Sequence, residues 1–165
     1  MNSRILYRKT IPTPVGDMFL VAHDRALVAL TWDEGDLAAW GLDAARAASN
    51  AALETGARQL EEYFRGKRAR FGVDLDPAGT PFQREVWAQL ERIPYGSTWS
   101  YGELARRVGS PGASRAVGSA NGRNPLCIFI PCHRVVRASG DPGGYAGGTG
   151  RKSFLLDLER RAAAG

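Results

Sequence analysis

Short runs of alternating apolar and polar residues fill the first third of the chain. Three of these runs are rich in β-branched and aromatic side chains and are separated by turn residues, which predicts antiparallel strands at 5–11, 17–23 and 26–32. From Asn50 onward, apolar residues recur at helical spacing on a face formed by Leu53, Ala57, Leu60 and Phe64. Gly66 is a natural end for this helix. The pattern therefore predicts an antiparallel sheet followed by one helix.

The pattern changes between residues 66 and 80. This stretch (GKRARFGVDLDPAGT) is charged at first and then contains glycine and proline, which predicts a strand followed by a linker. We therefore predict two domains, residues 1–79 and 80–165, in an α/β (α+β) fold. The first domain is an antiparallel sheet with a helix, and its role is structural or undetermined. The second domain is mainly helical.

Capping signals organise the second domain. TPFQ from Thr80 and SYGE from Ser100 have the spacing of a capping box, and Ser110-Pro111 marks a third helix start. The predicted helices span residues 81–92, 100–109 and 110–121. The last two, joined by a tight Gly/Ser/Pro turn, have the outline of a winged-helix-like helix-turn-helix. Ordinary packing of two helices in a core gives the same outline.

Charge is distributed unevenly along the chain, whose net charge is +5. Residues 1–80 carry ten Lys and Arg against eleven Asp and Glu, whereas residues 81–165 carry twelve against six. This excess of positive charge in the second half, nearly all of it Arg, agrees with a nucleic-acid partner. No apolar run approaches the ~20 residues of a membrane helix, and the N-terminal MNSRILYRKTIP lacks the features of a signal peptide. We therefore expect a cytoplasmic protein without a membrane partner.

The third helix of this domain (ASRAVGSANG) consists almost entirely of small residues. Such a helix lets its backbone come very close to a neighbour, but it has little capacity to read base edges. Arg115 is its one long side chain, and this favours a surface that enters a DNA groove. A helix packed tightly in a crowded core is the alternative.

Two cysteines lie in the apolar stretch that follows (LCIFIPCHRVV). We predict an extended strand here, so that Cys127 and Cys132 point to opposite faces and form neither a disulfide nor a zinc site. Cys127 fits a buried, inert thiol. Cys132 lies where Pro131 ends the strand, beside His133, which could serve as its base through a water and pair with a carboxylate on its other nitrogen.

Two later features complete the candidate site. Residues 140–150 (GDPGGYAGGTG) contain six glycines around Tyr145, which is typical of a loop whose backbone approaches a ligand, although a plain surface loop has the same composition. The final helix (RKSFLLDLERR) buries an apolar face, and Glu159 lies next to that face.

The motifs SYGELA, RAVGSANGRNP, IPCHRV and GYAGG, in this order, resemble the O6-alkylguanine-DNA alkyltransferase (methylated-DNA–protein-cysteine methyltransferase) family from about Thr80 to Glu159. The resemblance implies a DNA-repair enzyme that transfers the alkyl group of O6-alkylguanine, and also of O4-alkylthymine, to Cys132 in a single turnover. It also implies that His133 deprotonates Cys132 through a water while Glu159 holds the imidazole. Asn124 would tie the recognition helix to the active-site segment, and Tyr101 would donate a proton or hydrogen bond to guanine N3.

The same resemblance implies how the base is reached. The small-residue helix would enter the minor groove, and Arg115 would take the place of the flipped nucleotide. The residues predicted to contact DNA are Arg115, Ala116, Gly118, Ser119, Ala120 and Arg123. The predicted base contacts are the Val135 backbone, Tyr145 and Ala146. Ala146 stands where some members have a serine, so that only backbone N–H groups would reach O6 here.

The predicted partner is double-stranded DNA that contains O6-alkylguanine. We expect a monomer in solution that needs no cofactor, and cooperative binding along DNA stays open. We also expect no metal, because the first half has no cluster of Cys and His. One alternative is a non-catalytic alkyl-lesion DNA-binding protein, against which the presence of Cys132 argues. A cysteine hydrolase is another, but it would leave the DNA-binding features unexplained.

Overall fold

Residues 4–165 are described by the computed structural model, in which the chain divides into two units, Met1–Pro77 and Ala78–Gly165. The first unit begins with three antiparallel strands in the order β1-β2-β3, which are Tyr7–Ile11, Met18–Ala22 and Leu27–Thr31. Leu20 of β2 pairs with Leu30 of β3, and a register irregularity follows at Val21/Ala22. The three predicted strands are confirmed, each slightly shorter than its apolar run.

Two helices cover the two faces of this sheet. Helix α1 (Gly35–Ala39) places the buried Leu37 against Val21 and Ala29. Helix α2 (Ala51–Phe64) lies on the other face, where an added Cβ at Gly56 would come within 2.9 Å of the Leu27 side chain. Gly56 therefore lets the helix backbone approach the sheet closely. The sequence did not predict α1, because a helix of five residues is too short to show a period.

Helix α2 confirms the predicted start and end. Asn50 caps it by accepting a hydrogen bond from the Leu53 N–H, and Gly66 follows it with φ of +72°. Its fully buried face is formed by Leu53, Gly56, Leu60 and Tyr63, whereas the predicted Ala57 and Phe64 are half-buried.

The strand predicted between residues 66 and 80 is wrong. Only Leu75 pairs there, in a single bridge to Leu27, with hydrogen bonds from the Leu27 N–H to the Asp74 carbonyl and from the Asp76 N–H to the Leu27 carbonyl. Charged and glycine residues on both sides leave too few apolar positions to extend the pairing.

The second unit is mainly helical. Its elements are α3 (Pro81–Leu90), β4 (Trp99–Ser100), α4 (Tyr101–Arg107), α5 (Ser114–Gly122), a 3-10 helix (Cys132–Arg134), β5 (Val135–Val136) and α6 (Thr149–Ala164). Strands β4 and β5 pair in parallel. The whole is the predicted mixed α/β fold, with a helix-turn-helix formed by α4 and α5. Within residues 4–165, no helix combines the length and apolar character needed to cross a bilayer.

Capping explains two of the three helix starts that the sequence predicted from capping signals in this unit. Thr80 and Gln83 form the predicted capping box at α3, and the Ser100 hydroxyl accepts the Glu103 N–H at α4. The predicted start of α5 after Ser110-Pro111 is wrong, because the Ser110 carbonyl accepts the Ala113 N–H in a tight turn. Helix α5 therefore begins only at Ser114.

Trp87 of α3 anchors the recognition helix of this unit. Its side chain is 2% exposed, and its indole Nε1–H donates to the Ala120 carbonyl of α5 at 2.8 Å. An aromatic ring that is buried with its N–H satisfied fixes both the distance and the rotation of the two helices. One face of helix α5 therefore packs against Trp87 of α3, and the opposite face is exposed to solvent.

Candidate active site

The chain turns sharply between the two cysteines, so the predicted extended strand is wrong. The Phe129 N–H donates to the Cys127 carbonyl and the Ile130 N–H to the Leu126 carbonyl, which closes a turn around Ile128. Ile128 has φ of +74°, a left-handed conformation that is rare for a β-branched residue. Cys132 then opens the 3-10 helix.

This turn removes the extended geometry on which the prediction of opposite faces for Cys127 and Cys132 was based. Within residues 4–165 the two cysteines form no disulfide, and both are buried. Hydrogen bonding by the Cys127 and Asn124 side chains and the positive charge of Lys152 lower the pKa of Cys132 below that of an ordinary thiol, although burial acts in the opposite direction. Cys132 is thus a buried cysteine whose surroundings favour the thiolate, the reactive form.

Two asparagines connect the end of α5 to the Cys132 segment. The Asn124 amide donates to the Ile130 carbonyl at 2.7 Å and its Oδ1 accepts the Leu126 N–H at 2.9 Å. Asn121 donates to the carbonyl of Cys132 at 3.3 Å. The position of the sulfur is therefore coupled to the helix-turn-helix through hydrogen bonds on both sides of the turn.

A buried charge cluster lies on the other side of the 3-10 helix. His133 and Glu159 are joined by a 2.6 Å contact between Nε2 and Oε2, and Arg134 forms a two-pronged pair with the same carboxylate at 2.8 and 3.1 Å. Arg134 also donates to the Ile93 carbonyl at 2.8 Å. All three side chains of the cluster are less than a tenth exposed. The carboxylate thus holds two neighbouring residues of the 3-10 helix at once.

Electrostatics assign a charge state to each member of this cluster. Burial raises the pKa of Glu159, but hydrogen bonds and charges from His133 and Arg134 outweigh it and bring the pKa down to about 2. Burial lowers the pKa of His133 despite the opposing effect of Glu159. A neutral imidazole that donates from Nε2 to an ionised Glu159 follows. Its Nδ1 has no hydrogen-bond partner among residues 4–165 and is left as an acceptor.

Lys152 of α6 is fully buried beside the cysteine. Its Nζ donates to the Val135 carbonyl at 2.6 Å and to the Gly144 carbonyl at 3.1 Å. Burial lowers the pKa of Lys152 to about 8, and the thiolate of Cys132 opposes that shift. Lys152 therefore ties β5 to the glycine loop and places a positive charge near the sulfur.

Cys132 opens onto a pocket of about 320 Å³, within the size range of small-ligand sites. Its lining residues are Tyr101, Gly118, Asn121, Gly122, Asn124, Cys132, Gly144, Tyr145 and Ala146. Six predicted site residues therefore meet at one cavity, namely Tyr101, Gly118, Asn124, Cys132, Tyr145 and Ala146. Val135 is buried outside this lining, and its carbonyl is the one that Lys152 holds.

Tyr101 lies where α4, α5 and the glycine loop converge. An added Cβ at Gly118 would lie 3.6 Å from its ring, and one at Gly143 would lie 3.1 Å from its hydroxyl. Gly143 also has φ of +76°, so that only glycine fits this position without strain. Burial raises the pKa of Tyr101, which keeps its phenol protonated as a donor.

The solvent face of α5 carries most of the predicted DNA-contacting residues. Arg115, Ala116, Ser119 and Arg123 are exposed, and Gly118 is half-buried against Tyr101. Ala120 is only 3% exposed and its carbonyl accepts the Trp87 indole, so its assignment to the DNA surface is corrected. An i, i+4 repeat from Arg115 to Ser119 to Arg123 leaves a narrow face bounded by two arginines.

Sequence reasoning missed Arg134, Lys152, Asn121 and the role of Cys127. For Arg134 the available signal was its position within an apolar run, because an arginine there is buried only when it is paired. Lys152 gave no such signal. Among the described residues, no group of three or more His, Cys, Asp or Glu could hold a metal.

The fold and the site define a helix-turn-helix protein that carries a reactive cysteine at the floor of a pocket. Two family models match it, "6-O-methylguanine DNA methyltransferase, ribonuclease-like domain" over residues 6–77 and "6-O-methylguanine DNA methyltransferase, DNA binding domain" over residues 81–161. The chain belongs to this methyltransferase family, and its activity is DNA repair by alkyl transfer. The resemblance inferred from the motifs is thereby confirmed.

Relatives and solved structures agree over nearly the whole chain. The methylated-DNA–protein-cysteine methyltransferase of Mycobacterium leprae is 42% identical and covers 94% of this chain and 93% of its own, and the constitutive one of Bacillus subtilis is 43% identical, covering 93% and 95%. The crystal structure of Mycobacterium tuberculosis O6-methylguanine methyltransferase superimposes with a TM-score of 0.84 at 42% identity. The match covers 96% of this chain and 94% of that structure's chain. M. tuberculosis OGT in complex with DNA gives 0.83 at 43% identity, covering 94% of each chain.

Proposed function

We propose that this protein repairs O6-alkylguanine in duplex DNA by moving the alkyl group to Cys132 in a single turnover. The observation that carries the proposal is a thiol of lowered pKa that opens onto a pocket, with a neutral histidine as its sequence neighbour. The second candidate of the sequence, a non-catalytic lesion binder, has no use for such a thiol.

The chemistry is a displacement at the carbon attached to O6. The Cys132 thiolate forms a carbon–sulfur bond as the carbon–O6 bond breaks, and the electron pair of the broken bond passes to O6 and the guanine ring. The guanine, which stays attached to the DNA, takes up a proton and becomes the neutral, dealkylated base. Water does not readily cleave the thioether product, so each molecule of protein acts once.

The thiol proton leaves through the buried cluster. The unpartnered Nδ1 of His133 accepts it by way of a water, and the resulting imidazolium is held by the Glu159 carboxylate. Arg134 keeps that carboxylate ionised and in place. Asn124, which bonds both sides of the turn, keeps the sulfur aligned with the pocket.

The leaving base is stabilised from the other side of the pocket. The Tyr101 phenol donates to guanine N3, while the Tyr145–Ala146 segment contacts the base. A contact from the Val135 backbone stays a prediction from the sequence, because Val135 is buried outside the lining of the pocket. Because residue 146 is alanine and has no hydroxyl, only backbone N–H groups donate hydrogen bonds to guanine O6. The same pocket accepts O4-alkylthymine, which is the smaller base.

Tyr101→Phe tests this donor. We expect alkyl transfer to slow by about 10²-fold or less, because a general acid or hydrogen-bond donor contributes an effect of this size. Single-turnover rates on an oligonucleotide with O6-methylguanine measure it, and Tyr7→Phe in the first unit is the matched control. A rate equal to that of the unsubstituted protein would remove Tyr101 from the mechanism.

Access to the lesion requires base flipping, because O6 is hidden in a stacked duplex. Helix α5 supports this step through small exposed residues that allow close approach to the minor groove, and through the exposed Arg115. Backbone-dominated binding of this kind has little sequence preference. Monomeric state and cytoplasmic location stay predictions from the sequence.

A mass measurement tests the function as a whole. Incubation with a duplex that carries one O6-methylguanine should add one methyl mass to the peptide that contains Cys132, with a plateau at one equivalent. A duplex with unmodified guanine and the Cys132→Ser variant should give no change. Absence of the mass gain, its persistence in Cys132→Ser, or turnover beyond one equivalent contradicts the proposal.

A further inference from the structure

Asn121 of helix α5 has a buried hydrogen-bond acceptor that the described chain does not satisfy. The residue is 4% exposed, and its Nδ2 donates to the Cys132 carbonyl at 3.3 Å. A carbonyl oxygen can only accept, so this bond fixes how the amide is turned and leaves Oδ1 at its other end. Oδ1 is buried and has no hydrogen-bond partner among residues 4–165. Because an unsatisfied buried acceptor destabilises a fold, its presence indicates a donor from outside the chain.

The pocket in front of Cys132 is where such a donor enters. Asn121 lines this pocket together with Tyr101, Gly118 and Cys132. Helix α5 presents Gly118 and Asn121 on one face, because they are three residues apart. The Tyr101 ring lies against Gly118, 3.6 Å from a Cβ added there. This wall of the pocket therefore carries both a donor, the Tyr101 phenol, and an acceptor, the Asn121 amide oxygen.

One edge of O6-alkylguanine matches this wall. Alkylation at O6 removes the proton from ring N1, so the amino group on C2 is the only N–H donor left on the base. That amino group is adjacent to N3, on the edge that guanine presents in the minor groove. In the chemistry above, N3 accepts a hydrogen bond from Tyr101. The neighbouring amino group then meets the acceptor on the same wall of the pocket.

We propose that Asn121 determines the preference of this protein for guanine, because its Oδ1 accepts a hydrogen bond from the 2-amino group of the flipped base. A site built to bond a substrate N–H discriminates against an analogue that lacks it, since the buried acceptor is then left unpaired. O4-alkylthymine has no N–H on its ring after alkylation, so its repair should be slower than that of O6-alkylguanine. The role rests on the proposed function, in which an alkylated base enters this pocket.

The test compares two lesions that differ only in this amino group, O6-methylguanine and O6-methylhypoxanthine, placed in the same duplex. In the unsubstituted protein the single-turnover rate should be about tenfold higher for O6-methylguanine, the effect of one hydrogen bond to a buried acceptor. Asn121→Leu keeps the branched shape of the side chain without its polar atoms, and the ratio should fall to about one. Free O6-benzylguanine and O6-benzylhypoxanthine should show the same ratios without DNA binding or flipping.

The ratio of the two rates separates base recognition from the second contact of Asn121. Asn121 also holds the Cys132 carbonyl, so both rates should fall in Asn121→Leu for a reason unrelated to the base. That loss is common to both lesions and cancels in the ratio. Asn121→Asp keeps an oxygen acceptor and should keep the ratio of about tenfold. Thermal unfolding checks that both variants are folded, and Asn121→Ala replaces Asn121→Leu if the latter does not fold.

Three results would overturn the inference. The first is equal rates for the two lesions in the unsubstituted protein. The second is an unchanged ratio in Asn121→Leu, which would leave Oδ1 to a bound water and Asn121 to the Cys132 carbonyl alone. The third is loss of the ratio in Asn121→Asp. A failure of the proposed function is distinct from all three, because it is seen as no methyl gain on Cys132 from O6-methylguanine.

Discussion

Glu159→Gln lowers the free energy of unfolding by about 3 kcal/mol at neutral pH and slows alkyl transfer by about 10²-fold. The Glu159 carboxylate accepts a hydrogen bond from His133 and two from the Arg134 guanidinium. Its removal leaves that guanidinium buried without a counter-charge. Breaking a buried pair on one side costs about 3–5 kcal/mol. The rate falls because the imidazole loses both its orientation and the charge that stabilises its protonated form.

The pH dependence has a definite sign. The pKa of Glu159 in the folded protein is about 2, below the ordinary value of 4.5, so the carboxylate stabilises the fold above that ordinary value. This stabilisation is lost as the pH falls from about 5 toward 2. The difference in stability between the unsubstituted protein and Glu159→Gln should therefore shrink over that window.

Urea unfolding at several pH values measures both effects. Glu103→Gln is the matched control, because Glu103 pairs with Arg106 and Arg107 on the exposed side of α4 in the same unit. Exposed pairs contribute about 0–1 kcal/mol, so this control should change stability little. Equal losses in the two variants, or a Glu159→Gln difference that does not depend on pH, would show that the buried cluster is not the source.

Arg115→Ala slows repair of O6-alkylguanine in duplex DNA by about 10²-fold and leaves the reaction with free O6-benzylguanine nearly unchanged. Extruding a base costs a few kcal/mol of stacking and pairing, and a long side chain that fills the gap offsets part of that cost. Arg115 is exposed on α5 and does not line the Cys132 pocket, so its loss should not alter the chemistry there.

The comparison of duplex with free base isolates the flipping step. Arg160→Ala is the matched control, because it removes one positive charge from the exposed side of α6. It should reduce the duplex rate only slightly, through weaker attraction to phosphates. If Arg115→Ala slows both substrates equally, or no more than Arg160→Ala slows the duplex, Arg115 has no part in flipping.

Much of the fold could be predicted because its signals are local. Strands β1 to β3 and helix α2 follow from the period of apolar residues, and the Thr80–Gln83 box sets the start of α3. Such signals act within one strand or one helical turn. The start of α5 was misplaced for the same reason: Ser110-Pro111 has the local chemistry of a cap, but the Ser110 carbonyl is used by a turn.

The candidate site likewise contains residues that the local sequence indicated and one, Lys152, that it did not. The motif around Cys132 indicated the nucleophile and the family, and Tyr101, Tyr145 and Ala146 do meet it at one pocket. Lys152, in a segment that looks like an ordinary charged helix start, gave no sign of complete burial. Burial of a charge is decided by residues distant in the chain, here the carbonyls of Val135 and Gly144.

The sequence by itself determined strands β1 to β3, the capped starts of α3 and α4, and the family, because each depends on residue types at short fixed spacings. It also predicted Cys132 as the reactive cysteine. Only the tertiary structure decided the state of that cysteine. Ile128 was an apolar residue in a run read as a strand, yet its left-handed conformation reverses the chain just before Cys132. A backbone conformation that costs energy locally can be imposed only by packing and hydrogen bonds from elsewhere in the fold, and local sequence does not encode it.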